Sequence, residues 1–241
     1  MRPAARRNRP SIDEPHGMAD RHPRGLSVMT PAEYDAWYRT PRGRWIGETE
    51  YRLLRAMLAL APGASVLDVG CGSGYFTRRL AADGFAVTGL DVSPETVRYA
   101  QSQAVTGEPY LLGDARCLPF PDRHFDSCVA ITSLCFIREQ EQALAEMVRV
   151  TRRRIALGLL NRHSLLYRQK GRNGGRGAYR GAYWHTARES RALLVCANLQ
   201  DIDVRSAIYL PRGGVVARTI ENVVPQSLLF GGFLLVAGDV T

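Results

Sequence analysis

The sequence lacks several features that would place it in a special class. Lys170 is its only lysine, and its five cysteines include no C-x-x-C pair. An odd number of cysteines without such a pair argues against both a disulfide framework and a zinc site. The longest nearly uncharged run, 223–238, is interrupted by Pro225 and by two glycines, so it cannot cross a bilayer as a helix. We therefore expect a protein with no metal site and no membrane span.

The overall composition is that of an ordinary globular protein. Apolar residues make up 45% of the 241 residues and charged residues 23%, and this length allows a large core. Residues 1–28 are rich in proline and arginine without any periodicity, which predicts a disordered tail. The arginine-rich start has no apolar stretch behind it, as a signal peptide would, so we expect a soluble, cytoplasmic protein.

The formal net charge of +9 comes almost entirely from arginine. One basic block lies in the first 28 residues, and the second covers 149–188, which contains no acidic residue. A basic stretch can contact phosphates, anionic lipid or an anionic substrate, and it can equally be a solvated surface. No known nucleic-acid motif accompanies either block, so the sequence leaves these alternatives open.

Strand and helix patterns alternate after residue 61. Strands are predicted at 65–69, 86–91, 110–113, 125–131, 155–160, 202–210 and 232–238. Asp68, Asp91 and Asp114 fall at three strand ends, each 23 residues after the last, as successive parallel strand–helix units require. Short apolar strands are typical of a sheet covered on both faces. We predict an α/β fold: a doubly wound, mostly parallel seven-stranded sheet with helices on both faces and an antiparallel terminal strand.

The chemistry centres on a glycine turn that follows the first strand, with the sequence Val-Leu-Asp-Val-Gly-Cys-Gly-Ser-Gly over 66–74. Alternate glycines let the backbone turn sharply and let a ligand approach the main chain. In a dinucleotide-binding fingerprint the third glycine would fall at Tyr75, where it is missing. Asp68 precedes Gly70 by two residues, and a carboxylate there attracts a cationic ligand and repels a pyrophosphate.

These landmarks resemble the class I S-adenosylmethionine-dependent methyltransferases, in particular the broad Methyltransf_11, UbiE-like group. The resemblance covers roughly residues 60 to 160 and is carried by the stretches 66–74, 87–93, 113–115, 118–126 and 146–150. It implies a Rossmann-like methyltransferase fold, S-adenosyl-L-methionine as cofactor and S-adenosyl-L-homocysteine as product. The sequence departs from the family before the fifth strand, where the usual Lys/Arg-Pro-Gly-Gly turn is shortened.

The resemblance also implies which residues bind the cofactor. The resemblance places Asp68, Gly70, Cys71, Gly72 and Gly74 around the methionine and ribose parts of the cofactor. Asp91 would accept hydrogen bonds from both ribose hydroxyls. Around the adenine it places Val92 on one face, Asp114 at the amino group, the Ala115 backbone against the ring, and Thr132 on the far side. An aromatic lid on the first helix would consist of Tyr34, Trp37 and Tyr38.

The domain organisation expected from this resemblance has three parts. They are a tail over 1–28, a helical lid over 29–60, and a methyltransferase domain over 61–241. The domain divides into a cofactor-binding core (61–160), an acceptor-side loop and helix (161–200) and terminal strands (201–241).

The methyl acceptor is less defined by the sequence than the cofactor. His163 and His185 are candidate general bases because a histidine titrates near neutral pH. We predict direct in-line transfer to a small molecule, a reaction that does not require a catalytic side chain. The alternatives are an RNA methyltransferase, an NAD-dependent oxidoreductase, and a non-catalytic protein that binds the cofactor or nucleic acid.

Overall fold

A computed structural model describes residues 29–241, so the predicted tail over 1–28 lies outside the described residues. The helices are α1 (Pro31–Arg39), α2 (Pro41–Leu58), α3 (Tyr75–Ala82), α4 (Pro94–Ser102), α5 (Gln140–Val150), α6 (Ala187–Cys196) and α7 (Val215–Val223). The strands are β1 (Ser65–Val69), β2 (Ala86–Asp91), β3 (Tyr110–Leu112), β4 (Phe125–Ile131), β5 (Thr151–Leu160), β6 (Gln200–Ala207) and β7 (Phe233–Asp239). None of the helices within 29–241 combines the length and the apolar character needed to cross a membrane.

The seven strands form one sheet in the order β3-β2-β1-β4-β5-β7-β6. Strands β1 to β5 are parallel, and β7 lies between β5 and β6 and runs antiparallel to both. The predicted doubly wound α/β fold is thereby confirmed. Because β1 pairs with β2 on one side and with β4 on the other, the strand order reverses between β1 and β4, and ligands bind at such a reversal in open α/β sheets.

The sheet buries both of its faces. Successive residues of β1 point to opposite sides, so Leu67 and Val69 belong to one core and Val66 to the other. The first core is completed by α5 and α6, and the second by α2 and α3. The continuous apolar character of the strands follows from this two-sided burial.

Helix α2 starts five residues before Ile46, where its apolar periodicity begins. The helix begins at Pro41 because the Thr40 hydroxyl oxygen accepts the Gly43 N–H at 3.0 Å and proline occupies the first helical position. Thr40 therefore ends α1 and caps α2, and the two helices form a continuous unit.

Strand β5 is longer than predicted, beginning at Thr151 and not at 155. Helix α5 ends at Val150 and the strand follows with no intervening turn, which explains the shortened family motif. Arg154, in this added part, donates from Nε to the Met57 carbonyl at 2.7 Å and pairs with Asp239. Its long side chain thus fastens the strand to α2 and to β7.

Strand β6 ends at Ala207, three residues before the predicted boundary. Ile208 has a φ of +66°, a left-handed conformation that is strained for a β-branched residue. The Glu221 carboxylate on α7 accepts the N–H groups of Ile208 and Tyr209 at 2.9 and 3.1 Å. These hydrogen bonds replace those of a continuing strand.

We predict that Leu157→Ala destabilises the protein by about 2–5 kcal/mol, because Leu157 is fully buried in β5 between two neighbouring strands. Val215→Ala on the exposed surface of α7 is the control, with a change of about 0.5 kcal/mol or less. Urea denaturation measures both variants. Equal small losses would contradict this assignment of the core.

Candidate functional site

The glycine turn lies at the carboxyl end of β1, where the strand order reverses. Gly70, Gly72 and Gly74 all have positive φ angles, of 69°, 55° and 82°. The N–H groups of Gly70 and Cys71 both donate to the Leu90 carbonyl, which ties the turn to the end of β2. No atom lies within 4 Å of the position that a Cβ on Gly72 would occupy. The turn therefore presents open backbone to a ligand.

Asp91, the last residue of β2, joins the glycine turn to the start of α4. One carboxylate oxygen accepts the Gly72 N–H at 3.0 Å, and the other accepts the Ser93 N–H at 3.0 Å. The side chain is only partly buried. Each carboxylate oxygen can accept more than one hydrogen bond, so Asp91 retains acceptor capacity toward a ligand above Gly72.

Asp68 is buried beneath the turn, with 2% of its surface exposed. Burial raises the pKa of its carboxyl to about 6, while the Thr77 hydroxyl, which donates to Oδ2 at 2.7 Å, lowers it. The negative charge of Asp91 raises it further. Two carboxylates thus act on the same turn, an arrangement that favours a ligand with positive charge.

The residues after β2 and β3 combine exposed apolar surface with a charged pair. Val92 is 69% exposed and Leu112 56% exposed, so both present apolar surface at the carboxyl edge of the sheet. Ala115 is buried, and Asp114 accepts hydrogen bonds from the Arg116 guanidinium at 2.7 to 3.1 Å. This pairing lowers the pKa of Asp114, so its carboxylate is charged.

Thr132 follows β4, next to the carboxyl end of β1. Its φ of +58° is strained for a β-branched residue, and such strain is concentrated at functional sites. The neighbouring Ser133 hydroxyl donates to the Val69 carbonyl at 2.6 Å. A Cβ on Gly70 would lie 2.3 Å from the Ser133 Cβ, so the β1 and β4 ends meet only because residue 70 is glycine.

An aromatic cluster on α1 lies against the first turn of α3. Tyr38 stacks on Tyr75 with ring centroids 3.7 Å apart and contacts Tyr34 edge-on. Asp35, buried on the same helix, pairs with Arg78, and Arg78 also donates to the Ser73 carbonyl of the glycine turn at 2.6 Å. Helix α1 is therefore attached directly to the glycine turn.

The two candidate histidines lie on neighbouring backbone segments, since Asn161 and His185 form an isolated β-bridge, but their side chains differ in exposure. His163 is exposed, and its backbone N–H donates to the Asn161 side chain. His185 is buried, with Nε2 at 2.9 Å from Gln140 Oε1, and burial lowers its pKa. Its Nδ1 is enclosed without a partner, so neither ring nitrogen is offered to a ligand. The structure therefore gives little support to His185 as a general base.

Sequence reasoning missed Glu50, a carboxyl on the inner side of α2. Burial and the nearby charge of Glu221 raise its pKa to about 8. The available signal was a glutamate on the face of α2 that carries Ile46, Gly47 and Leu54.

The sequence of this chain is similar to those of several known proteins. Residues 67–155 match the model of a methyltransferase domain family. Malonyl-[acyl-carrier protein] O-methyltransferase of Serratia marcescens is 41% identical over 91 residues, which are 38% of this chain and 35% of the relative. An uncharacterized protein of Mycobacterium tuberculosis is 33% identical over 191 residues, 76% of this chain and 62% of the relative. The chain thus spans less than two thirds of the length of each relative.

Solved structures share the fold. A Thermotoga maritima protein described as a SAM-dependent methyltransferase, possible histamine N-methyltransferase, has a TM-score of 0.71 at 24% identity and covers 87% of this chain and 95% of its own. Magnesium protoporphyrin IX methyltransferase from Synechocystis, with bound SAH, has a TM-score of 0.59 at 20% identity, covering 81% and 84%.

We predict that Thr77→Val raises the pKa of Asp68 above about 6, by roughly one unit, because the lost hydrogen bond stabilises the charged carboxylate. A carboxyl-carbon NMR titration measures the change. Thr96→Val on α4, whose hydroxyl makes no contact with Asp68, is the control and leaves the pKa in place. An unchanged value in Thr77→Val would refute this account of the Asp68 environment.

Proposed function

We propose that this chain, which matches a methyltransferase domain family over residues 67–155, is a class I, S-adenosylmethionine-dependent methyltransferase that transfers the methyl group of that cofactor to a small-molecule acceptor. The observation that carries the proposal is the Asp91 carboxylate placed beside the open Gly72 backbone at the sheet reversal. A carboxylate beside an open glycine turn has the donor and acceptor groups that a nucleoside requires.

The residues around the turn fit the cofactor in three respects. The empty space over Gly72 admits a ribose against the backbone, and Asp91 has acceptor capacity for its hydroxyls. Exposed Val92 offers an apolar surface to the adenine. The paired charges of Asp68 and Asp91 favour a sulfonium at this position over a pyrophosphate.

The adenine end of the site requires an adjustment to the role inferred for Asp114. Each of its oxygens already accepts two hydrogen bonds from Arg116, Oδ1 from the backbone N–H and Nε, and Oδ2 from Nε and Nη2. We infer that the adenine amino group replaces one of these contacts when it binds Asp114, and that Ala115 contributes its backbone.

The bound cofactor supplies an activated methyl group on a positively charged sulfur. The chain supplies orientation and the exclusion of water. Asp35 and Arg78 hold α1 against the glycine turn, and we infer that Tyr34 and Tyr38 on this helix cover the bound cofactor. Thr132, in its strained conformation, limits the crevice from the β4 side.

A small acceptor is favoured because the groups above the crevice are enclosed. Tyr38 is 6% exposed, and burial raises the pKa of both Tyr34 and Tyr38. The malonyl-[acyl-carrier protein] relatives match this chain over about 90 residues of the core, so they support the cofactor chemistry and not that acceptor.

RNA remains the second candidate acceptor, supported by a separate observation. The segment between β5 and α6 is largely exposed and carries a row of positively charged side chains: Arg162, Arg168, Lys170, Arg172, Arg176 and Arg180. An NAD-dependent oxidoreductase is disfavoured, because Tyr75 fills the position of the third glycine and stacks on Tyr38.

We predict that Asp91→Asn weakens S-adenosylhomocysteine binding by about 10- to 100-fold, because hydrogen bonds to a charged acceptor contribute about 1.5–3 kcal/mol. Isothermal titration calorimetry measures the affinity. Asp201→Asn is the matched control, since Asp201 is exposed on β6 at the far edge of the sheet. Equal affinity of Asp91→Asn and the wild type would contradict the proposed site, and no binding to the wild type would contradict the function.

A further inference from the structure

Helix α7 presents an apolar face to solvent. Its opposite side is fixed by buried Ala217 and, one turn later, by Glu221, whose carboxylate accepts two backbone N–H groups just after β6 at 2.9 and 3.1 Å. These contacts set the rotation of the helix about its own axis. They leave three valines on the outer face, each between 67% and 82% exposed: Val215, Val216 and Val223.

The segment after α7 extends this apolar face. Leu228 and Phe230 are also exposed, although hydrogen bonds hold their part of the backbone in place. The Ser206 hydroxyl donates to the Leu228 carbonyl at 2.8 Å, and the Tyr209 hydroxyl donates to the Pro225 carbonyl at 2.8 Å. Together with the three valines, Leu228 and Phe230 form the apolar patch. A set of exposed apolar side chains of this kind marks an interaction surface.

A basic segment, residues 162–183, begins beside the apolar patch. The Asn161 side-chain amide donates to the carbonyls of Leu229 and Gly231 at 3.1 and 2.7 Å. Within the basic segment, Leu166 lies 3.1 Å from the position that a Cβ on Gly232 would occupy. The backbone that carries the end of the apolar patch therefore adjoins the start of the basic segment.

The basic segment contains no acidic residue. Arg162, at its start, pairs with Glu189. Five further cationic side chains of the segment are exposed and form no ion pair with any residue between 29 and 241: Arg168, Lys170, Arg172, Arg176 and Arg180. Their charges are therefore available to an anionic partner.

The apolar patch and the basic segment both lie at the carboxyl edge of the sheet. Strand β7 runs antiparallel to β5 and to β6, so β5 and β6 run in the same direction. The basic segment follows β5 and α7 follows β6, so both emerge at one edge. The glycine turn lies at this edge too, because β1, β4 and β5 are parallel. A partner bound here faces the edge that carries the candidate functional site.

We propose that the apolar patch and the basic segment dock the protein on an anionic lipid membrane. Binding at a membrane surface combines apolar side chains that enter the boundary of the acyl chains with basic side chains that contact anionic head groups. The two adjoining features supply one component each. The inference goes beyond the proposed function, because it depends neither on the cofactor nor on the methyl acceptor.

The charge of the basic segment disfavours other occupants of this surface. A second copy of the chain would bring two basic segments together, and their charges repel each other. Residues 1–28 carry six arginines against three acidic residues, so their charge has the same sign. RNA would satisfy the basic segment, but the valines of the apolar patch do not stack on bases as aromatic rings do. An anionic lipid surface matches both features.

Vesicle sedimentation with the full chain tests the proposal. Two preparations are compared, pure phosphatidylcholine and phosphatidylcholine that contains about 30% phosphatidylglycerol. We expect the partition coefficient to be at least about tenfold higher for the anionic vesicles, because the exposed cations are attracted to their head groups. Added salt should reduce this difference.

The contribution of the apolar patch is measured with two valines changed together. Val215→Ser combined with Val223→Ser should lower the partition coefficient on anionic vesicles by at least about tenfold, because less apolar surface enters the membrane. The matched control is Val105→Ser combined with Val195→Ser. These two valines are also exposed, but they precede β3 and β6 at the opposite edge of the sheet, so binding should be retained.

The contribution of the basic segment is measured in the same way. Arg172→Gln combined with Arg176→Gln should lower the partition coefficient on anionic vesicles by about 10- to 30-fold and leave that on pure phosphatidylcholine unchanged. Arg123→Gln combined with Arg153→Gln is the matched control, because both side chains are exposed near the amino ends of β4 and β5. Urea denaturation of all four variants should give the wild-type midpoint, since every substituted side chain is exposed.

Equal binding to the two kinds of vesicle, or no binding to either, would overturn the proposal. Wild-type binding by the Val215 and Val223 variant would place the lipid contact elsewhere in the chain and overturn it as well. Two further measurements address the other occupants. A wild-type dimer in analytical ultracentrifugation that the same valine substitutions dissociate would assign the patch to a second copy. Binding of an oligouridine without binding of anionic vesicles would assign the basic segment to RNA.

Discussion

The site depends on the contact between the Asp91 carboxylate and the Gly72 N–H, which joins the end of β2 to the turn after β1. The turn can reach β2 only because its glycines adopt positive φ angles, and the N–H groups of Gly70 and Cys71 complete the junction at the Leu90 carbonyl. A backbone arranged in this way exposes Gly72 and orients a carboxylate beside it. The strand order then places this junction at the reversal of the sheet.

The N-terminal helices convert that open junction into an enclosed site. Asp35 and Arg78 link α1 to the carbonyl of the turn, and Gly47 allows the tyrosines to pack against α2. Contacts between α1, α2 and α3 thus fix the position of the aromatic side chains relative to the glycine turn.

The sequence predicted those features whose causes are local. The sequence predicted the glycine turn and the strand ends at Asp68 and Asp91. Each of these features is marked by apolar runs, aspartates and glycines that lie within a few residues of one another. The start of α2 at Pro41 was not predicted, although it has a local cause in the Thr40-Pro41 cap. The early start of β5 has no local cause, because it depends on pairing with β4 and β7 and on the contacts of Arg154.

The contact of Tyr38 with Tyr75 could not be predicted from the sequence for the same physical reason. The two residues are distant in the chain, and only the folded structure stacks their rings. His185 had a suitable titration range, yet its burial and its contact with Gln140 withdraw it from the ligand. A crystal structure with S-adenosylhomocysteine tests the account most directly. It should show both ribose hydroxyls within about 2.5–3.0 Å of the Asp91 carboxylate oxygens. A nucleoside bound elsewhere, with Asp91 contacting only Gly72 and Ser93, would contradict it.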